Sequence, residues 1–200
     1  MKTLLLGTQN RGKIEELRAL LGADYLVQGL EDLGKSPPTV VEDGNSYREH
    51  ALKKALAYSG WAGCPVLADD SGLEVDALGG APGVHSAYYG GENLTWPQRW
   101  AYLLEALKPF PQEKWTARFR CVLCYVDGTS APQFFEGVAE GRVVPSPRGD
   151  KGFGYDPILW STDLGMTFAE APAERKNAVS HRARALFSFR QWLDRLEPRS

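Results

Sequence analysis

Two adjacent carboxylates end a short apolar run, Val66-Leu67-Ala68-Asp69-Asp70-Ser71-Gly72-Leu73. Side chains alternate across a strand, so Asp69 and Asp70 point to opposite faces; at most one is expected to be buried while the other leans into a cleft. Ser71 adds a hydroxyl and Gly72 a permissive turn, which makes the pair a strand end. The plainer alternative is an Asp-Ser-Gly turn without chemistry. Two cations elsewhere fall on apolar stripes. Lys54 is three residues after Ala51 and seven after Tyr47, so it points inward and needs an anion unless its stem merely snorkels. Arg182 is four before Leu186, and burying it would cost several kcal/mol without an acceptor.

Two further stretches suit a nucleotide-like ligand. Thr8-Gln9-Asn10-Arg11-Gly12-Lys13 joins a strand to a helix, a junction that aims backbone N–H groups and the positive helix end at whatever lies above it, as phosphate requires. Its spacing is not that of a Walker loop, and Asn10 could simply cap the helix. In Gly152-Phe153-Gly154-Tyr155-Asp156-Pro157 glycines flank Phe153, leaving its ring open to stack on a planar base, with Tyr155 and Asp156 able to address polar edges. An aromatic anchor for the loop is the alternative.

The elements that must position these residues are legible in outline. A strand over Lys2 to Gly7 precedes a helix with Ile14, Leu17, Leu20 and Leu21 on one face, and a strand is expected near Tyr25 to Gly29. Ser46 and Glu49 have capping-box spacing before a helix with Tyr47, Ala51, Ala55 and Tyr58 inward, on which Lys53 can pair with Glu49 outside. Gly79-Gly80-Ala81-Pro82-Gly83 forces a tight path that folds back beside the Asp-Asp-Ser-Gly segment, and His85 beyond it reads as structural. Thr95 and Gln98 cap a helix whose buried face is Trp96, Trp100, Leu103, Leu104 and Leu107. Ala117 to Val126 alternates strictly and pairs with a strand around Phe134 to Ala139, giving a mixed sheet. Lys176 to Arg182 starts the last helix, with Leu186, Phe189 and Leu193 inside.

A net charge of −2 over 200 residues provides no field for a nucleic acid polymer, so an anionic ligand must be gripped locally. No apolar run approaches the roughly 18 residues of a membrane span, and a cytoplasmic protein is expected. The cysteines, Cys64, Cys121 and Cys124, are odd in number; the last two have the spacing of a metal or redox pair but sit mid-strand without a second pair of ligands and read as buried reduced thiols.

Six motifs in uninterrupted order resemble the non-canonical purine nucleoside triphosphate pyrophosphatase (inosine triphosphatase) family: Thr8-x-Asn10-x-x-Lys13; Glu42 with Glu49-x-Ala51-x-x-Lys54-Ala55; Ala68-Asp69-Asp70-Ser71-Gly72-Leu73; Gly79-Gly80-Ala81-Pro82-Gly83; Gly152 to Pro157; and Lys176-x-x-x-Ser180-His181-Arg182. The resemblance implies one α/β domain over residues 1–200, an elongated mixed β-sheet flanked by helices, with two lobes, the active-site cleft between them, and a homodimer. It implies Mg2+-dependent hydrolysis of inosine, deoxyinosine and xanthosine triphosphates to the monophosphate and pyrophosphate. Asp70 would accept the proton of the attacking water and bind Mg2+ together with Glu42, while Lys13 and Lys54 offset phosphate charge. Thr8, Gln9, Asn10, Arg11, Gly12, Lys13, Ser71, Phe153, Gly154, Tyr155, Asp156, Lys176, His181 and Arg182 would contact substrate, with Arg182 or His181 donating to the 6-keto group. The family usually carries asparagine where His50 stands, which leaves a purine nucleotide sensor without turnover as the competing expectation.

Overall fold

The computed structural model describes residues 2–22 and 25–196; the rest of the expected 1–200 domain lies outside the described residues. The elements in order are β1 (Lys2–Gly7), α1 (Arg11–Leu21), β2 (Tyr25–Gly29), α2 (Tyr47–Ala62), β3 (Val66–Val75), α3 (Trp96–Leu107), β4 (Thr116–Val126), β5 (Gln133–Val143), β6 (Leu159–Ser161), β7 (Met166–Thr167), α4 (Ala173–Val179) and α5 (His181–Leu196). The strands form one sheet in the order β2-β1-β3-β4-β5-β6-β7. β1 runs parallel to β2 and β3, and β6 antiparallel to β5 and β7, so the sheet is mixed as expected. β4 and β5 are joined through residues 127–132, a connection too short for a parallel crossover.

The chain divides into two compact units, residues 1–70, 121–137 and 182–200 in the first and 71–120 and 138–181 in the second. In the first, Leu4, Leu6, Leu67, Cys121 and Leu123 share a core with Ile14, Leu17 and Leu21 of α1 and Ala185, Leu186 and Phe189 of α5. The alternate residues Leu5, Val66 and Ala68 are also buried, and α2 packs against β1 with Ala51, Ala55 and Tyr58 inside. Strands covered on both faces read as continuous apolar runs, as Leu4-Leu5-Leu6 and Val66-Leu67-Ala68 do. In the second unit Leu73, Val75, Phe119, Ala139 and Val143 pack with Leu103 and Leu107 of α3 and with Phe168.

Four expectations are corrected. The acid pair does not end a strand: β3 continues through Ser71 and Gly72 to Val75, and the turn comes only at residues 76–80. The glycine loop does fold back on this second half, with Val75 N–H donating to Ala81 O at 3.1 Å. The last helix is two helices, because Ser180 is extended between α4 and α5. On α3 the buried residue of the first turns is Arg99 rather than Trp96, which is 37% exposed. The Arg99 guanidinium donates to the carbonyls of Tyr89, Gly91 and Leu94, and satisfying three loop acceptors is what permits its burial. Finally, Lys53 pairs with Asp43, and Glu49 instead accepts from the Asn45 N–H at 2.7 Å. Cys121 and Cys124 are buried free thiols, as expected, and Cys64 is free and partly buried.

Candidate active site

In the first unit the parallel pair β1–β3 aligns Gly7 with Ala68, which brings the end of β1 beside the acid pair. The approach is close: a Cβ on Gly7 would lie 2.9 Å from both Ala68 Cβ and Val66 Cγ1. From Gly7 the chain enters the loop and α1. Asn10 does cap the helix, accepting from the Lys13 N–H at 3.2 Å, while Thr8 Oγ1 accepts from the Asn10 N–H. Thr8 is buried, Gln9, Asn10 and Arg11 are exposed, and Gly12 and Lys13 are intermediate.

Asp69 and Asp70 are both buried, not one of them, because β3 is covered on both faces. The alternation itself holds, and each face supplies its own cations. Asp69 pairs with Lys13 of α1 and accepts from Arg182 Nε of α5 at 2.9 Å, with the Cys121 thiol donating to it at 3.1 Å. Arg182 also pairs with Glu16, so its buried guanidinium has the acceptors that burial demands. Burial would raise the Asp69 carboxyl, but Arg182 and Lys13 hold it well below the usual carboxylate range. The Cys121 thiol is pushed well up by burial and by the adjacent carboxylate.

Asp70 faces α2. Its Oδ1 accepts from Lys54 Nζ at 2.7 Å, and the same ammonium reaches Glu42 Oε2 at 3.0 Å. The inward lysine expected from helical periodicity has therefore found its anions. Burial raises the Asp70 pKa, against the pull of Lys54 and with the help of the Glu42 charge. Glu42, less buried, is lowered because Lys54 outweighs its desolvation. Burial works against the Lys54 charge, yet Asp70 and Glu42 raise its pKa. Asp70 and Glu42 against Lys54 leave one net negative charge, whereas Asp69 and Glu16 are matched by Lys13 and Arg182.

A residue that sequence reasoning did not place in the site completes this cluster. His50 is four before Lys54 on the same face of α2, a signal the helical spacing carried; its Nδ1 lies 3.3 Å from Asp70 Oδ2 and 3.7 Å from Glu42 Oε2. The candidate ligand atoms of Glu42, His50 and Asp70 lie within 4.8 Å of one another. Asp70 Oδ2 and His50 Nδ1 are buried without a hydrogen-bond partner, the condition a bound cation would relieve. The donor set fits a divalent cation.

The second unit gathers the residues expected at the base. Asp156 pairs with Lys176 of α4 and accepts from the Phe153 N–H at 2.9 Å. The Lys176 ammonium also sits 4.9 Å from the centroid of the Phe153 ring. A Cβ on Gly152 would fall 2.0 Å from Asp156 Oδ2, and φ there is +72°, so glycine is required twice over. The Gly154 carbonyl accepts from Trp100 Nε1 at 2.8 Å, and the Tyr155 hydroxyl donates to Ser86 O at 3.0 Å. Trp96, likewise unforeseen here, meets Tyr155 edge-on with centroids 5.3 Å apart. His181 is buried with its ring 4.9 Å from that of Phe119, and Ser71 is intermediate in β3.

A dITP/XTP pyrophosphatase of Geobacter sulfurreducens is 46% identical over 187 residues, 93% of this chain and 94% of its own. A dITP/XTP pyrophosphatase of Shouchella clausii is 40% identical over 199 residues, spanning the full length of both. A solved HAM1 protein from Coxiella burnetii superposes with a TM-score of 0.87 at 36% identity, covering 98% of this chain and 100% of that one. The model of the Ham1 family matches residues 4–192, and the chain belongs to that family.

Proposed function

We propose that the protein is a dITP/XTP pyrophosphatase that hydrolyses non-canonical purine nucleoside triphosphates to the monophosphate and pyrophosphate. The observation that carries this reading is the buried Asp70, held through one oxygen by Lys54 and left at the other without a partner beside Glu42. The pyrophosphatase relatives, similar over nearly their whole length, support the substrate class.

The residues divide the work as follows. Asp70, its basicity raised by burial, accepts the proton of the attacking water. Lys54 fixes its orientation through Oδ1 and keeps positive charge beside it. The α1 N-terminus, with Lys13 drawn up by Asp69, binds the phosphates, so attack at the α-phosphorus expels pyrophosphate intact and no phosphoenzyme is needed. A divalent cation held by Asp70 and Glu42, Mg2+ in this reading, would neutralise phosphate charge. Phe153 stacks on the base, with Lys176 and Asp156 fixing its loop. Between the two candidates for the 6-keto group, the reading favours His181, because Arg182 is engaged by Asp69 and Glu16 and orders the acid pair. A donor there would be left unpaired by adenine's amine, a penalty of about 1–3 kcal/mol.

A phosphate assay with and without added inorganic pyrophosphatase tests the reaction. Colour from deoxyinosine triphosphate only when the helper enzyme is present is expected; orthophosphate without it would refute α–β cleavage, and tight binding without turnover would make the protein a sensor. The reading also carries a homodimer and a cytoplasmic setting, tested by sedimentation and by fractionation; no helix among the described residues is long and apolar enough to cross a membrane.

A further inference from the structure

We propose that His50 is a third ligand of the divalent cation, through Nδ1, and that this nitrogen makes the site favour Mn2+ and Co2+ over Mg2+. The inference rests on the cation-assisted hydrolysis proposed above and concerns a residue that departs from the family's usual asparagine.

The geometry fixes the tautomer. His50 Nε2 lies 2.9 Å from the carbonyl oxygen of Gly44, which only accepts, so Nε2 carries the proton. In the neutral ring the lone pair is then on Nδ1. That atom is buried, has no hydrogen-bond partner, and stands 3.3 Å from Asp70 Oδ2, which has none either. Nδ1 of a side chain only 1% exposed thus faces Asp70 Oδ2 across a gap that a positive charge fills, either a metal ion or a second ring proton, and metal titration separates the two.

The support around the ring is that of a metal-bound histidine, whose distal N–H is held by a backbone carbonyl that fixes both tautomer and plane. Gly44 permits it: a Cβ there would lie 3.1 Å from His50 Cδ2 and 2.8 Å from Glu49 Oε2. The local charge also asks for a cation, since Asp70 and Glu42 outnumber Lys54 by one. Mg2+ takes oxygen ligands almost exclusively, whereas imidazole raises affinity for first-row transition metals in the order Mn2+ < Co2+. Two carboxylates and one imidazole therefore discriminate where carboxylates with an asparagine would not.

The test compares the wild-type chain with His50→Asn and uses binding rather than turnover. Calorimetric titration should show Mn2+ and Co2+ binding weakened about tenfold or more in the variant while Mg2+ changes far less. Equal Mn2+ affinity in both proteins overturns the proposal. Electron spin-echo spectroscopy of the Mn2+-loaded wild type needs no variant: a directly coordinated 14N supports the proposal, and its absence overturns it. The chain has three histidines, and loss of the signal in His50→Asn but not in His85→Asn assigns it. Pyrophosphate release measured in parallel separates the two readings. Nitrogen coordination without release refutes the hydrolase and keeps the ligand; release without coordination does the reverse.

Discussion

Asp69 and Asp70 are neighbours in sequence with opposite electrostatics, and their substitutions should separate accordingly. Asp70→Asn removes the charge and proton acceptor but keeps the volume, so kcat should fall by about 10²-fold or more with nucleotide affinity largely retained. Steady-state kinetics beside calorimetry checks this, and near-normal kcat would remove Asp70 from the role. Asp69→Asn should instead cost stability, about 3–5 kcal/mol in urea unfolding at neutral pH, because Arg182 is left buried beside a neutral group. The pH dependence follows from the same pair. Burial favours a protonated Asp69, but Arg182 and Lys13 prevail and depress the folded pKa far below the roughly 3.9 of an unfolded aspartate. Above that value both states are ionised and the stabilisation is complete. As pH falls below it the unfolded chain takes up the proton first, and stability declines through the folded value. Wild type should therefore lose stability steeply in acid while Asp69→Asn shows a flatter limb; parallel acid limbs would contradict this account.

At the scale of elements, the loop before β6 depends on one glycine. A methyl on Gly152 would collide with the Asp156 carboxylate, at a φ of +72° that is itself strained for any other residue. Gly152→Ala should displace Asp156 from Lys176 and from the Phe153 N–H, raising KM for the nucleotide about tenfold or more, with kcat changed much less. A proportional fall in kcat would mean that the loop acts on the chemical step. Periodicity had already placed Lys54 and Arg182 on inward stripes, and both are buried. It misjudged α3, where a guanidinium satisfying three carbonyls displaced an indole from the interior. It also read Ser71-Gly72 as a turn, since a strand's length is set by its neighbours in the sheet as much as by its own residues.

Across the whole molecule, β3, β4 and β5 each contribute residues to both compact units, the chain passing from one to the other at Asp70–Ser71, Arg120–Cys121 and Gly137–Val138, and once more at His181–Arg182 where α5 begins. Neither core is encoded by a contiguous stretch, so heating should give one transition with calorimetric and van't Hoff enthalpies equal; two separated transitions would show independent units. What the sequence by itself determined was the set of chemical groups and the face each occupies: the mixed sheet, the opposed carboxylates, the inward cations and the phosphate-suited junction all follow from periods of 2 and 3.6 and from glycine placement. Only the tertiary structure decided who meets whom. Asp69 and Arg182 lie 113 residues apart, and Glu16 and Arg182 166 apart. Periodicity tells a side chain to point inward; strand order and helix packing decide what it finds there. The same holds for His50, whose spacing put it on the face of Lys54, but whose unpaired nitrogen against Asp70 exists only because α2 is laid beside β1 and its parallel neighbour β3.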